Sequence, residues 1–261
     1  MSPDGAIRTD RQGHVAIVTI DRPAKLNAFT LRMYRAFGAV FREIAENESV
    51  RCVLLQADGE RAFCVGSDIG EFREALGQPE RQIAETRVGR AAMDALADCP
   101  QPIVVAVQGL CVGGGLQIAA GCDIRVAGAD ARFGIPIKSL GMHAEIEDLG
   151  SLYRVMGPNL SLDLLLTGRL LDAEDALACG FVHRLVDPTQ VAETALAIAT
   201  EIADGAPLAA RWHKRAIRAL GQNAETAMHL ADEALHCYRH QDFAEGCAAF
   251  LDKRTPVFVG A

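Results

Sequence analysis

Two glycine-bearing segments constrain this chain more than any other feature. The first is Ala62-Phe63-Cys64-Val65-Gly66-Ser67-Asp68-Ile69, and the second is Val107-Gln108-Gly109-Leu110-Cys111-Val112-Gly113-Gly114-Gly115-Leu116-Gln117. Each follows a strand-like apolar run and leads into a helix-like one. A strand that passes through glycine into a helix leaves backbone N–H groups without partners at the positive end of the helix dipole. Two such ends aimed at one point would form an oxyanion hole without any catalytic side chain. That arrangement suits chemistry on a carbonyl whose oxygen becomes negative, such as an enolate.

The surrounding pattern is α/β. Residues 14–20 read as a strand, apolar on both parities and therefore buried on both faces. Thr30 is a plausible N-cap for a helix to about Glu46, with Leu31, Tyr34, Phe37 and Phe41 at helical spacing. Strands are expected at 52–57, 103–107, 123–127 and 131–134, with a helix from Gly113 to near Gly121. The conformation of 71–90, with Gly77, Pro79 and many charges, stays open, although it should form the wall of a pocket. After Pro188 the pattern turns almost wholly helical, over 188–204, 207–220, 224–238 and 241–251. Residues 1–187 are therefore expected to form an α/β core and 188–261 a helical region.

Composition narrows the function class. A chain of 261 residues with a net charge of −8 gives no reason to expect nucleic-acid binding. No stretch approaches the roughly 18–20 apolar residues needed to span a membrane, and Met1 to Gly5 lacks the basic start and apolar core of a signal peptide. The eight cysteines include no C-x-x-C pair, and several sit in apolar runs, so reduced buried thiols and a cytoplasmic home are expected. The seven histidines show no H-E-x-x-H spacing, and no G-x-G-x-x-G stands in a dinucleotide-binding context.

The glycine segments resemble the signatures of the crotonase superfamily, the enoyl-CoA hydratase/isomerase family. The resemblance also covers Arg22-Pro23-Ala24-Lys25-Leu26-Asn27-Ala28-Phe29, Phe133-Gly134-Ile135-Pro136, Leu166-Thr167-Gly168-Arg169, Asp172 to Ala176, Gly180-Phe181-Val182 and Glu245-Gly246 through Lys253-Arg254. It implies a spiral of strand–strand–helix turns followed by C-terminal helices that build trimers, often paired into hexamers. It also implies an acyl-CoA substrate whose thioester oxygen sits between the backbone N–H groups of Ser67 and Gly114. The CoA moiety belongs to the substrate, and no separate redox or metal cofactor is implied. By the same resemblance, adenine lies near Gly66, Asp68 and Ile69, with the Lys25, Leu26 and Ala28 loop beside it. Lys253 would reach CoA from a neighbouring subunit.

The reaction turns on carboxylates. Family hydratases use two glutamates, and the matching positions here are Gln117 and Ile137. An amide and an isoleucine supply neither a base for water nor an acid for the α-carbon, so ordinary two-glutamate hydration is disfavoured. Glu145, four residues after Gly141, matches a position where several relatives carry a functional carboxylate, including enoyl-CoA isomerases that use one acid alone. The resemblance thus implies double-bond isomerisation with Glu145 as acid/base. His143, Glu147, Asp148 and Gln117 are the other candidates for a working group. The alternatives on the same fold are a non-standard hydratase, a C–C or thioester hydrolase, a dehalogenase-like enzyme, or an inactive CoA-binding homologue.

Overall fold

The computed structural model describes residues 5–221, 224–228 and 230–261. The chain opens with an antiparallel hairpin of β1 (Ala6–Gln12) and β2 (Val15–Asp21), followed by α1 (Leu31–Glu46). Three turns of a spiral then succeed one another. The first holds β3 (Cys52–Ala57), β4 (Ala62–Cys64), α2 (Ile69–Glu74) and α3 (Pro79–Asp98); the second holds β5 (Ile103–Val107), β6 (Leu110–Val112) and α4 (Gly114–Gly121). The third holds β7 (Ile124–Gly128), β8 (Arg132–Gly134) and α5 (Ile146–Thr167). Next come β9 (Leu171–Asp172), α6 (Ala173–Ala178), β10 (Arg184–Val186), α7 (Val191–Asp204) and α8 (Pro207–Leu220). The last elements are α9 (Ala224–Met228), α10 (Ala231–Ala234), a 3-10 turn at Leu235–Arg239 and α11 (Gln241–Asp252).

Within each turn the first strand joins one sheet and the second strand joins another. The larger sheet runs β1-β2-β3-β5-β7-β10 and the smaller β4-β6-β8-β9. Neighbours are parallel except for the β1–β2 and β8–β9 edges. This is the strand–strand–helix spiral that the family resemblance implies.

The central strands of the larger sheet are buried on both faces, as their continuous apolar sequences require. Val53, Leu55, Val105 and Ala127 face the main core with Phe29, Phe37 and Phe41 of the first helical layer. Cys52, Leu54, Val104 and Val126 face the opposite side, where Val191, Ala195, Ala199 and Ala203 of α7 cover them at four-residue spacing. Thus α7, whose sequence reads with the C-terminal helices, packs on the sheet. Each large side chain buried here contributes about 1.5–3 kcal/mol relative to exposure. The α8 helix is tied to the same body by Lys214 and Arg218, which reach Asp123 at 2.8 and 2.7 Å.

Most element expectations hold. Thr30 caps α1 by accepting from the Met33 N–H at 3.2 Å, and the strands at 52–57 and 103–107 have the expected bounds. The β1 strand carries no such signal in the sequence, because Arg8, Asp10 and Arg11 are exposed on an edge. The 224–238 stretch is two short helices and a 3-10 turn rather than one helix, with residue 229 outside the described residues. Cys52, Cys64, Cys99, Cys111 and Cys122 are buried, and no cysteine among the described residues is paired. No described helix is long and apolar enough to cross a membrane.

Candidate active site

The two glycine segments meet. A single parallel bridge joins Phe29 to Ser67: the Phe29 N–H donates to the Gly66 carbonyl and the Asp68 N–H to the Phe29 carbonyl, each at 2.8 Å. The Ser67 N–H between them finds no backbone acceptor among the described residues. Gly114 opens α4, so its N–H is one of the donors a helix start leaves over. It too finds no carbonyl among the described residues, whereas the Gly113 N–H donates to the Gly134 carbonyl at 2.8 Å. A Cβ on Gly66, whose φ is +92°, would stand 3.0 Å from the Gly114 nitrogen. A Cβ on Gly115 would overlap the Cys64 carbonyl. Only glycine permits these approaches, and they place two unclaimed N–H groups side by side.

Polar side chains surround this point. A Cβ on Gly114 would lie 3.2 Å from the Tyr34 hydroxyl and 3.8 Å from Gln117 Oε1. The Tyr34 hydroxyl is 2.9 Å from Ser67 Oγ. Burial holds the Tyr34 phenol well above its usual range, with the charges of Asp148 and Glu71 acting in the same direction against the Ser67 hydrogen bond. Tyr34 therefore remains a neutral hydroxyl at any working pH.

The acid cluster lies at the head of α5. Glu145 is the N-cap residue of that helix, but its side chain makes no capping bond. Both carboxylate oxygens are instead taken by Arg90 of α3, at 3.1 Å to Nε and 2.5 Å to a terminal guanidinium nitrogen. Glu147 approaches the same guanidinium at 3.3 Å. The carboxylate of Asp148, half-buried, has neither a hydrogen bond nor an ion pair among the described residues. Burial pushes its carboxyl up to about 6, and the negative charges of Glu145 and Glu147 push the same way. His143 is exposed in the loop before the helix. Ile137 is half-buried and packs on the main core.

The loop expected beside the first glycine segment lies there. The bridge holds Phe29, at the end of this loop, between Gly66 and Asp68. Lys25 is exposed at the end of a 3-10 turn, Leu26 is left-handed at φ 51°, and Ala28 is buried. The buried Asn27 side chain holds the loop by donating to the Asp58 and Ala62 carbonyls at 2.9 and 2.8 Å. Asp68 caps α2 through the Gly70 N–H and pairs with Arg22 at 2.6 Å. Burial alone would raise Asp68, but these partners outweigh it and hold the carboxyl low. Ile69 is exposed. Lys253 is not gathered here: it ends α11, exposed and left-handed at φ 56°. No group of three metal-binding side chains occurs among the described residues.

Residues 10–261 match the profile of the family described as enoyl-CoA hydratase/isomerase. The chain belongs to the enoyl-CoA hydratase/isomerase family. It is 34% identical to a short-chain-enoyl-CoA hydratase of Clostridium acetobutylicum, over 94% of each chain. It is 31% identical to a 1,2-epoxyphenylacetyl-CoA isomerase of Escherichia coli, over 94% of this chain and 95% of that one. Among solved structures, an enoyl-CoA hydratase/carnithine racemase from Magnetospirillum magneticum superposes with a TM-score of 0.92 at 39% identity, covering 98% of this chain and 96% of that one. The names in this enoyl-CoA hydratase/isomerase neighbourhood thus span more than one reaction. Two residues at the site escape a linear reading. Tyr34 is hidden in the apolar stripe of α1, where its one polar atom among Phe37 and Phe41 was the available signal. Arg90 lies in a helix whose position relative to Glu145 depends on the spiral.

Proposed function

We propose that the protein binds an acyl-CoA and moves a double bond within its acyl group. The thioester oxygen sits between the Ser67 and Gly114 N–H groups. The observation that carries this reading is the apposition of two unclaimed backbone donors at the meeting point of the glycine segments. A carboxylate of the α5 head takes a proton from C2 of a 3-enoyl thioester, and the electron pair passes through the conjugated system onto the thioester oxygen. The same carboxyl returns the proton to C4, leaving the 2-enoyl thioester. One base and one oxyanion hole suffice.

Asp148 is the favoured proton carrier. Its carboxyl is raised to about 6 and no cation is fastened to it, whereas both Glu145 oxygens are bound by Arg90. Glu145 in this reading anchors α5 to α3. Adenine packs along the backbone of Gly66, Asp68 and Ile69 beside the Lys25, Leu26 and Ala28 loop. Lys253 reaches the CoA phosphates across a subunit boundary in a homotrimer or hexamer, and no resident cofactor takes part.

The test is incubation of the purified protein with 3-enoyl-CoA substrates of several chain lengths, followed by mass spectrometry. Isomerisation keeps the mass, hydration adds water, and hydrolysis releases CoA. Asp148→Asn is expected to lower kcat about 100–1000-fold and Glu145→Gln considerably less. Wild-type protein that leaves every 3-enoyl thioester unchanged refutes isomerisation. A Glu145→Gln loss exceeding that of Asp148→Asn refutes the choice of carrier.

A further inference from the structure

Proton counting at the Tyr34–Ser67 pair exposes a donor that the backbone reading leaves out. Each hydroxyl carries one proton and accepts through its lone pairs. The two oxygens lie 2.9 Å apart, and either can be the donor, so their mutual bond uses one of the two protons. Neither hydroxyl has another acceptor among the described residues. Tyr34 is only 8% exposed, so water does not readily serve it. Ser67 is partly exposed, so the arrangement that leaves no buried proton unmatched has Tyr34 donating to Ser67, with the Ser67 proton left for solvent or a bound ligand.

Its surroundings show where it is used. The Tyr34 ring is fixed between Phe29, with ring centroids 4.8 Å apart, and Gly89 of α3, where a Cβ would touch the ring at 3.8 Å. The hydroxyl cannot swing away without unpacking that ring. It faces Gly114, at 3.2 Å from that residue's Cβ position, and its partner oxygen belongs to Ser67 itself. The pair thus spans the two residues whose N–H groups are unclaimed.

We infer that the Tyr34–Ser67 hydroxyl pair supplies a third hydrogen-bond donor to the thioester oxygen, beside the Ser67 and Gly114 N–H groups. One hydroxyl donates to the other, and the second donates to the substrate oxygen as it gains charge. The relay polarises the outward O–H and strengthens it as a donor. The phenol, kept neutral by burial, has its proton available throughout. This inference rests on the placement of the thioester oxygen between Ser67 and Gly114.

The test uses a conjugated thioester, cinnamoyl-CoA, whose absorption band moves to longer wavelength as its carbonyl is hydrogen-bonded. The wild-type protein is expected to shift the band. Tyr34→Phe and Ser67→Ala each keep one hydroxyl and should retain part of the shift; the double variant should retain least. With a 3-enoyl-CoA, the double variant should lose about 100–1000-fold in kcat while KM changes little, a split that a general packing defect does not produce. A double variant with wild-type shift and wild-type kcat overturns the inference. Should the double variant fail to fold, both single variants at the full wild-type shift overturn it equally. A wild-type protein that binds the probe without any shift refutes the thioester placement instead, so the two failures are distinguishable.

Discussion

Gly66→Ala tests the oxyanion pair most directly, because it leaves every side chain of the site in place. Gly66 has φ +92°, and the added methyl would stand 3.0 Å from the Gly114 nitrogen. Two costs follow. The backbone conformation is disfavoured for an L-residue by about 1–2 kcal/mol, which appears as lost stability. The methyl also crowds the Gly114 N–H, and loss of one such donor costs about 3–4 kcal/mol of transition-state stabilisation, or about 100–1000-fold in kcat/KM. Gly180→Ala separates the two costs. Gly180 has φ +80°, yet a Cβ there meets nothing within 4 Å. It should show the stability loss alone. Denaturant unfolding gives the first quantity for both variants, and turnover of a 3-enoyl thioester gives the second. If Gly66→Ala is destabilised like Gly180→Ala but keeps kcat/KM within about threefold of wild type, the Gly114 N–H is not a donor.

Three further outcomes are expected. With Asp148 as base, kcat/KM should rise as pH increases through about 6, and Glu145→Gln should move this limb to lower pH by removing a negative neighbour; an unmoved limb in the pH–rate profile would count against Asp148. Because folding raises the Asp148 pKa, the folded state holds that proton more tightly than the unfolded chain, so its contribution to stability is complete below about pH 4 and lost as pH rises through about 6. Asp148→Asn should therefore be more stable than wild type at pH 8, by about 1–2 kcal/mol once solvent screening at a half-buried site is allowed for, and level with it near pH 4 in urea titrations. Arg125, buried beneath the Phe181 ring, donates to the Phe181, Cys122 and Ala119 carbonyls. Arg125→Met should cost about 2–4 kcal/mol by leaving those acceptors unpaired, and an unfolding midpoint equal to that of wild type would contradict that assignment.

The regular elements were legible where burial imposes a period. The strands at 52–57 and 103–107 and the capped helix from Leu31 could be read from local pattern. The β1 edge was not, because a strand exposed along most of its length need not alternate. Residues 71–90 gave mixed signals: several of their charges are exposed on α2 and on the first half of α3, whose buried residues begin only at Ala92. At the site, the glycine runs announce themselves because close backbone approach excludes every other residue. The carboxylates do not sort themselves in the sequence. Glu145 and Asp148 differ through Arg90, which is 55 residues away from Glu145 along the chain, and through burial set by the spiral. Tyr34 was readable as core from its spacing, but its hydroxyl's destination required a partner from another turn.

The contact of Gly115 with the Cys64 carbonyl has a consequence for how such a chain diverges. Successive turns of the spiral are welded there main chain to main chain, so the spacing of the Ser67 and Gly114 donors does not depend on any side chain. The carboxylates proposed to handle protons are carried elsewhere, at the head of α5. On the proposed reading, anion stabilisation and proton handling are therefore separable parts of the site. Substitutions at 117, 137 and 145–148 can exchange one proton inventory for another while the electrophilic half of the site stays intact. Gln117 and Ile137 stand where the family resemblance places the two glutamates of hydratases.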